Sequence, residues 1–211
     1  MKKGVVVWAI AAASMLMAGC SGLGGSLDFA PDTSSIYVRK DGTLESALVE
    51  TFENKEYYSQ ESLQSFASEL VEEYNQNAGS KGQETLPVQL KSCQLEGGSA
   101  KLIFQYASAE DLLNFAAQTG DDSVGTETLY VDTVGNALMK EKVIDGKFLK
   151  PDGTEVSNDT VTKQSSAMVI AAEGPVTVQT EGKILYVTEG VTVEEKNQAV
   201  TPEGKSYIVF K

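Results

Sequence analysis

Two hydrophobic periods alternate along the first half of the chain, and they limit the folds open to it more than any other feature. Leu63, Phe66, Ala67, Leu70, Val71 and Tyr74 recur at helical spacing, with Gln64, Glu69, Glu72, Glu73 and Gln76 on the opposite side. Ser59 stands where an N-cap belongs and Asn77-Ala78-Gly79 supplies a stop. Leu102, Phe104 and Tyr106 instead alternate with polar residues, the period-two pattern of a half-buried antiparallel strand. A helix with one apolar stripe and a strand with one apolar face bury those surfaces against each other, so the pattern predicts a layered α+β fold.

The flanking segments extend that order. Ile36 to Arg39 and Leu44 to Val49 surround an Asp41-Gly42 turn and read as a hairpin. Strands are expected at about Leu86 to Leu95 and Lys101 to Ala107, joined through Glu96-Gly97-Gly98-Ser99. Ser108, followed by Glu110 and Asp111, begins a second helix whose apolar side is Leu112, Leu113, Phe115 and Ala116 and whose stop is Gly120. Beyond it, Leu129-Tyr130-Val131 and Ala137-Leu138-Met139 surround a Gly135-Asn136 turn. Val143-Ile144 and Lys147-Phe148-Leu149 surround Asp145-Gly146, so this stretch reads as short hairpins. Lys150 to Thr154 is a turn and Glu155 to Gln164 a polar loop. Glu173-Gly174, Glu181-Gly182 and Glu189-Gly190 recur every eight residues between β-branched segments, and Glu203-Gly204 precedes Tyr207 to Phe210. That spacing predicts a meander or a small barrel sector. The expected fold class is α+β: an antiparallel sheet with two packed helices, then a β-rich hairpin or meander region. Residues 34–120 form the α+β unit and residues 121–211 the β-rich unit, which either continues the first or stands beside it.

The amino-terminal segment speaks to location. Lys2 and Lys3 precede a nearly unbroken apolar run from Gly4 to Ala18, then Gly19 and Cys20. Charge, apolar core and small residues in that order make a secretory signal, and the run is short for a membrane span of about 20 residues. Met17-Ala18-Gly19-Cys20 resembles the lipobox of bacterial lipoproteins, with Met17 in place of the usual leucine. The resemblance covers the export segment alone. It implies cleavage after Gly19, so that residues 1–19 are a signal peptide, and a diacylglyceryl thioether on Cys20, the expected lipidation site. Ser21-Gly22-Leu23-Gly24-Gly25-Ser26 then reads as part of a flexible tether over residues 20–33. With Cys20 lipidated, Cys93 is the remaining cysteine, so no intramolecular disulfide is expected; its strand-like surroundings suit a packed thiol. The implied localisation is a bacterial cell membrane, lipid-anchored on the extracytoplasmic side.

Composition narrows the chemistry. The chain has no histidine, which removes imidazole bases, Ser-His-Asp and Cys-His nucleophiles and His-ligated metals. The excess of 30 acidic over 17 basic residues, a net charge of −13, disfavours nucleic acid and anionic headgroups, leaving the N-terminal lipid to hold the membrane. Residues 121–127 are acidic but lack the donor order of an EF-hand and read as a solvated turn. Arg39, the one arginine, reads as a strand-edge ion pair. A carboxylate pair of the glycosidase kind is invisible in linear sequence. No catalytic, cofactor-binding or metal residue is singled out, no cofactor is expected, and oligomeric state is left open. The expected function is a noncatalytic interaction or envelope-associated domain with an envelope protein or polymer as partner. A carboxylate-dependent hydrolase of envelope glycans and a small-ligand-binding lipoprotein serving a transporter are the alternatives.

Overall fold

Strand and helix signals through residue 120 fold close to where they are written, in a computed structural model that describes residue 29 and residues 31–52, 59–79 and 85–211. Cys20, the expected lipidation site, lies outside the described residues. A hairpin of β1 (Ser35–Val38) and β2 (Leu44–Thr51) leads to helix α1 (Gln60–Asn77), strands β3 (Val88–Glu96) and β4 (Ser99–Tyr106), and helix α2 (Ala109–Thr119). Ser59 Oγ accepts from the Ser62 amide at 3.1 Å and Ser108 Oγ from the Asp111 amide at 3.1 Å, each satisfying an amide that an uncapped first turn would leave open. Gly120 ends α2 at φ 69°, in the left-handed region.

The second half is built differently from the expected hairpins. After a 3-10 turn (Asp122–Val124) come β5 (Thr128–Thr133), α3 (Val134–Met139), β6 (Phe148–Leu149), β7 (Glu155–Val156) and α4 (Asn158–Thr162). Then follow β8 (Met168–Glu173), β9 (Thr177–Thr180), β10 (Ile184–Thr188), β11 (Thr192–Glu195), β12 (Gln198–Val200) and β13 (Lys205–Phe210). Gly135-Asn136 is the first turn of α3 instead of a hairpin: Thr133 Oγ1 caps the Asn136 amide at 3.1 Å, and the Gly135 amide donates to Ser165 O at 2.9 Å. A Cβ at Gly135 would stand 3.0 Å from that carbonyl, so glycine permits the approach. The polar stretch Glu155 to Gln164 also acquires structure. Ser157 caps α4, and the fully buried Val161 fixes it to the body.

The strands form two sheets, a mixed α+β fold with helices interspersed among strands. The first has the order β11-β12-β9-β1-β2-β4-β3 and the second β5-β8-β13-β10-β6-β7. Neighbours are antiparallel except β1 and β9, which run parallel with Ile36 opposite Val178. The Glu-Gly repeat therefore does not make a meander. Its strands are dealt between the sheets, β9, β11 and β12 to the first and β10 and β13 to the second. The crossing at Glu181-Gly182 is locked by reciprocal hydrogen bonds between Lys183 and Lys211, 2.9 and 3.0 Å, and by Thr180 Oγ1 donating to Gly182 O at 2.8 Å.

Strand alternation sorts the side chains into layers. Ile36, Val38, Leu44, Phe104 and Val178 of the first sheet share one apolar cluster with Met168, Ile170, Ile208 and Phe210 of the second, closed at one side by α1 and α2. The opposite face of the first sheet carries Tyr37 and Ala47, on which Phe29 packs with its ring 5.5 Å from that of Tyr37. The opposite face of the second sheet carries Val169, Tyr207 and Val209 beneath α3 and α4 residues Val134, Ala137 and Val161.

Two amides on α1 seal the outer edge of β3. Gln60 Nε2 donates to Cys93 O at 2.5 Å and its Oε1 accepts from the Leu95 amide at 2.8 Å. Near the other end of the helix, Asn75 Nδ2 donates to Val88 O at 2.8 Å and Oδ1 accepts from the Val88 amide at 3.1 Å. Each side chain imitates a neighbouring strand and removes part of an edge that would otherwise recruit another chain.

Just past the Lys140 C-cap of α3, Glu141 has a φ of 57°, the one non-glycine in the left-handed region among the described residues. A side chain there costs about 1 kcal/mol relative to glycine. Glu141→Gly should raise the denaturant midpoint by an amount equivalent to about 1 kcal/mol, with an unchanged slope.

Candidate functional site

The residues singled out by sequence are spent on structure. Asp121 Oδ1 accepts from the Ser123 amide at 2.8 Å, so the acidic segment caps its own 3-10 turn, and Val124 is buried in the shared core. No group of three or more His, Cys, Asp or Glu side chains is placed to hold a metal ion among the described residues. Arg39 pairs with Glu45 at 2.6 Å and lies over the Tyr37 ring at 5.2 Å from its centroid, the ion pair its position suggests. Cys93 is half-buried against the core, and burial pushes its thiol up, away from the thiolate a nucleophile needs.

Two clefts remain. The first, of about 370 Å³, opens between α1 and the end of α2. Its floor is Leu63, Ala67, Leu70, Leu102, Phe104 and Phe115, and Glu50, Asp121 and Asp122 stand on its rim. Phe66, expected on the buried stripe of α1, instead lies at this rim with 59% of its surface exposed. The arrangement is an apolar groove with an acidic border.

The second lies on the outer face of the second sheet. Register places Tyr130 of β5 opposite Ala171 of β8, and Ala171 opposite Tyr207 of β13, so two aromatic rings stand on either side of a methyl group. The resulting trough of about 190 Å³ has Val169 and Ala171 in its floor and Ala137, Val143 and Ile144 at one end. Tyr207 donates its hydroxyl hydrogen to Val143 O at 2.6 Å and Tyr130 to Asp132 Oδ2 at 3.1 Å, which fixes both rings. Lys142 Nζ sits 5.4 Å from the Tyr130 ring centroid and Lys205 Nζ 5.2 Å from that of Tyr207. Both distances are within cation–π range.

Asp132 anchors the wall of this trough. Burial raises its carboxyl, but hydrogen bonds from Lys140, Asn136, the Thr133 amide and Tyr130 outweigh that effect and hold it down at about 2. A carboxyl depressed on folding adds stability that is complete above its unfolded value of about 3.9 and is lost as pH falls through the folded value. Asp132→Asn should therefore cost roughly 1 kcal/mol at neutral pH, after allowance for solvent screening, and nothing near the acid end of the titration. Urea midpoints of both proteins across the acid range check this.

The sequence gives no hint of the trough because its three central residues are about 40 positions apart and meet only through strand register. Tyr130 and Tyr207 carry strand-like neighbours that account for them as packing residues, and Lys142 gains its position from the turn at Glu141. Chemically, the trough can hold a flat apolar group and answer a negative charge. No protein family profile matches the chain, and comparison with curated proteins and with solved structures finds no match.

Proposed function

We infer that this chain is a lipid-anchored domain on the extracytoplasmic face of a bacterial membrane, and that it binds a partner without transforming it. The observation that carries the reading is the order Lys2-Lys3, apolar run, Met17-Ala18-Gly19-Cys20. Two acyl chains anchor stably where one does not, since each buried methylene contributes about 0.8 kcal/mol. The described body supports a binding role through two open clefts whose linings are apolar and charged. Phe29 meets the body on the outer face of the first sheet, and the lysine-bordered trough lies on the outer face of the second.

Expression in a bacterial host with labelled palmitate, followed by membrane fractionation, tests the anchor. Wild type should carry label, sediment with membranes, and show an intact mass equal to residues 20–211 plus lipid. Cys20→Ser should carry no label and lose the processed, lipid-modified mass. An unmodified thiol at Cys20 in the native product overturns the reading.

A further inference from the structure

The geometry points to the Tyr130–Ala171–Tyr207 trough as the binding site for a small planar anion, an aryl carboxylate or aryl sulfonate, seated between the rings with its charge on Lys142 and Lys205. The inference names a ligand class for the binding role proposed above and does not depend on the anchor.

Three observations carry it. The first is shape. Tyr130 and Tyr207 stand two strands apart, a backbone separation of about 10 Å, and the residue between them, Ala171, fills little of that space. One flat ring matches the size of such a slot, and both tyrosine hydroxyls are already bonded to Asp132 and Val143, so the rings bring apolar surface rather than free hydroxyls to it. Aromatic rings in offset or edge contact attract one another beyond what area burial alone supplies. The second is charge. The chain carries 30 acidic residues against 17 basic, yet two ammonium groups border this apolar trough. Neither has a carboxylate within 4 Å among the described residues, whereas Lys140 and Lys147 are paired with Asp132 and Glu189. Glu173 shares a cross-strand row with Lys205, and Asp132 is committed to Lys140, Asn136 and Tyr130. The third is order. Each ammonium rests over a tyrosine ring, so the cationic borders are held before a ligand arrives and less freedom is lost on binding. A cationic ring would meet two like charges, and a neutral ring would leave both unanswered.

Calorimetric titration of the full chain in zwitterionic detergent micelles, with naphthalene-2-sulfonate as the probe, tests the site. Wild type should give saturable binding. Ala171→Phe, which fills the slot, should abolish it. The double variant Lys142→Gln, Lys205→Gln should weaken it at least about tenfold, or about 1.4 kcal/mol, while unfolding at the wild-type temperature. Naphthalen-2-ylmethylammonium and inorganic sulfate should give no saturable signal above that of Ala171→Phe. Equal binding of the anionic and cationic probes, unchanged affinity in the lysine double variant, or no saturable binding of the sulfonate to wild type overturns the proposal. If Ala171→Phe does not fold, the lysine variant and the charge comparison decide. The labelling and fractionation result is separate, so failure of one reading is distinguishable from failure of the other.

Discussion

Phe210→Ala should lower the unfolding free energy by about 3–5 kcal/mol and the melting temperature by about 10 °C. The ring is fully buried, and register sets it between Met168 of β8 and Ile184 of β10. It lies on β13, in the interior of the second sheet, and points into the cluster that both sheets share. Shortening it removes apolar contact and leaves a cavity that strands on two sides prevent from closing. Chemical denaturation and calorimetry measure the loss. A loss below about 1 kcal/mol would mean that the sheets collapse into the space, which close-packed interiors resist.

Asn75→Ala should cost about 2–3 kcal/mol through a different mechanism. The substitution leaves both backbone groups of Val88, a fully buried residue, without the side-chain amide that serves them. Each orphaned buried polar group costs about 1–3 kcal/mol, and the better helix propensity of alanine offsets roughly 0.5 kcal/mol. Hydrogen exchange separates this from a general loosening: the Val88 amide should exchange faster than its neighbours on β4. Gln60→Ala, at the half-exposed end of the same helix, should cost less. If the two variants cost the same, burial does not set the energetics of this edge.

What the chain discloses in advance follows the range of the forces involved. Ser59, Ser108 and Gly120 act within one turn of themselves, and the 3.6-residue period around Leu63 to Tyr74 needs no distant partner, so α1 and α2 are legible. Gly135-Asn136 followed by Ala137 to Met139 reads locally as a turn and a strand, but its fate as a helix is set by Ser165 and by the cap from Thr133, one of them some thirty positions away. The Glu-Gly spacing marks turns correctly without saying which sheet each strand joins. That choice rests on burial of Val178 against Ile36 and of Ile208 and Phe210 in the shared core. The trough is the extreme case, since every residue in it has an ordinary local explanation and its character emerges only from register. Cys20, expected from its four-residue context to carry lipid, lies outside the described residues.

The parallel ladder between β1 and β9 has a consequence for biosynthesis. Its two sides are separated by about 140 positions, so one flank of the first hairpin has no native neighbour until most of the chain has been translated. At typical elongation rates that delay is on the order of ten seconds. During it the nascent polypeptide is slow to lock into a final topology and carries a bare strand margin. Until the ladder closes, that margin is open to pairing with another copy of the chain.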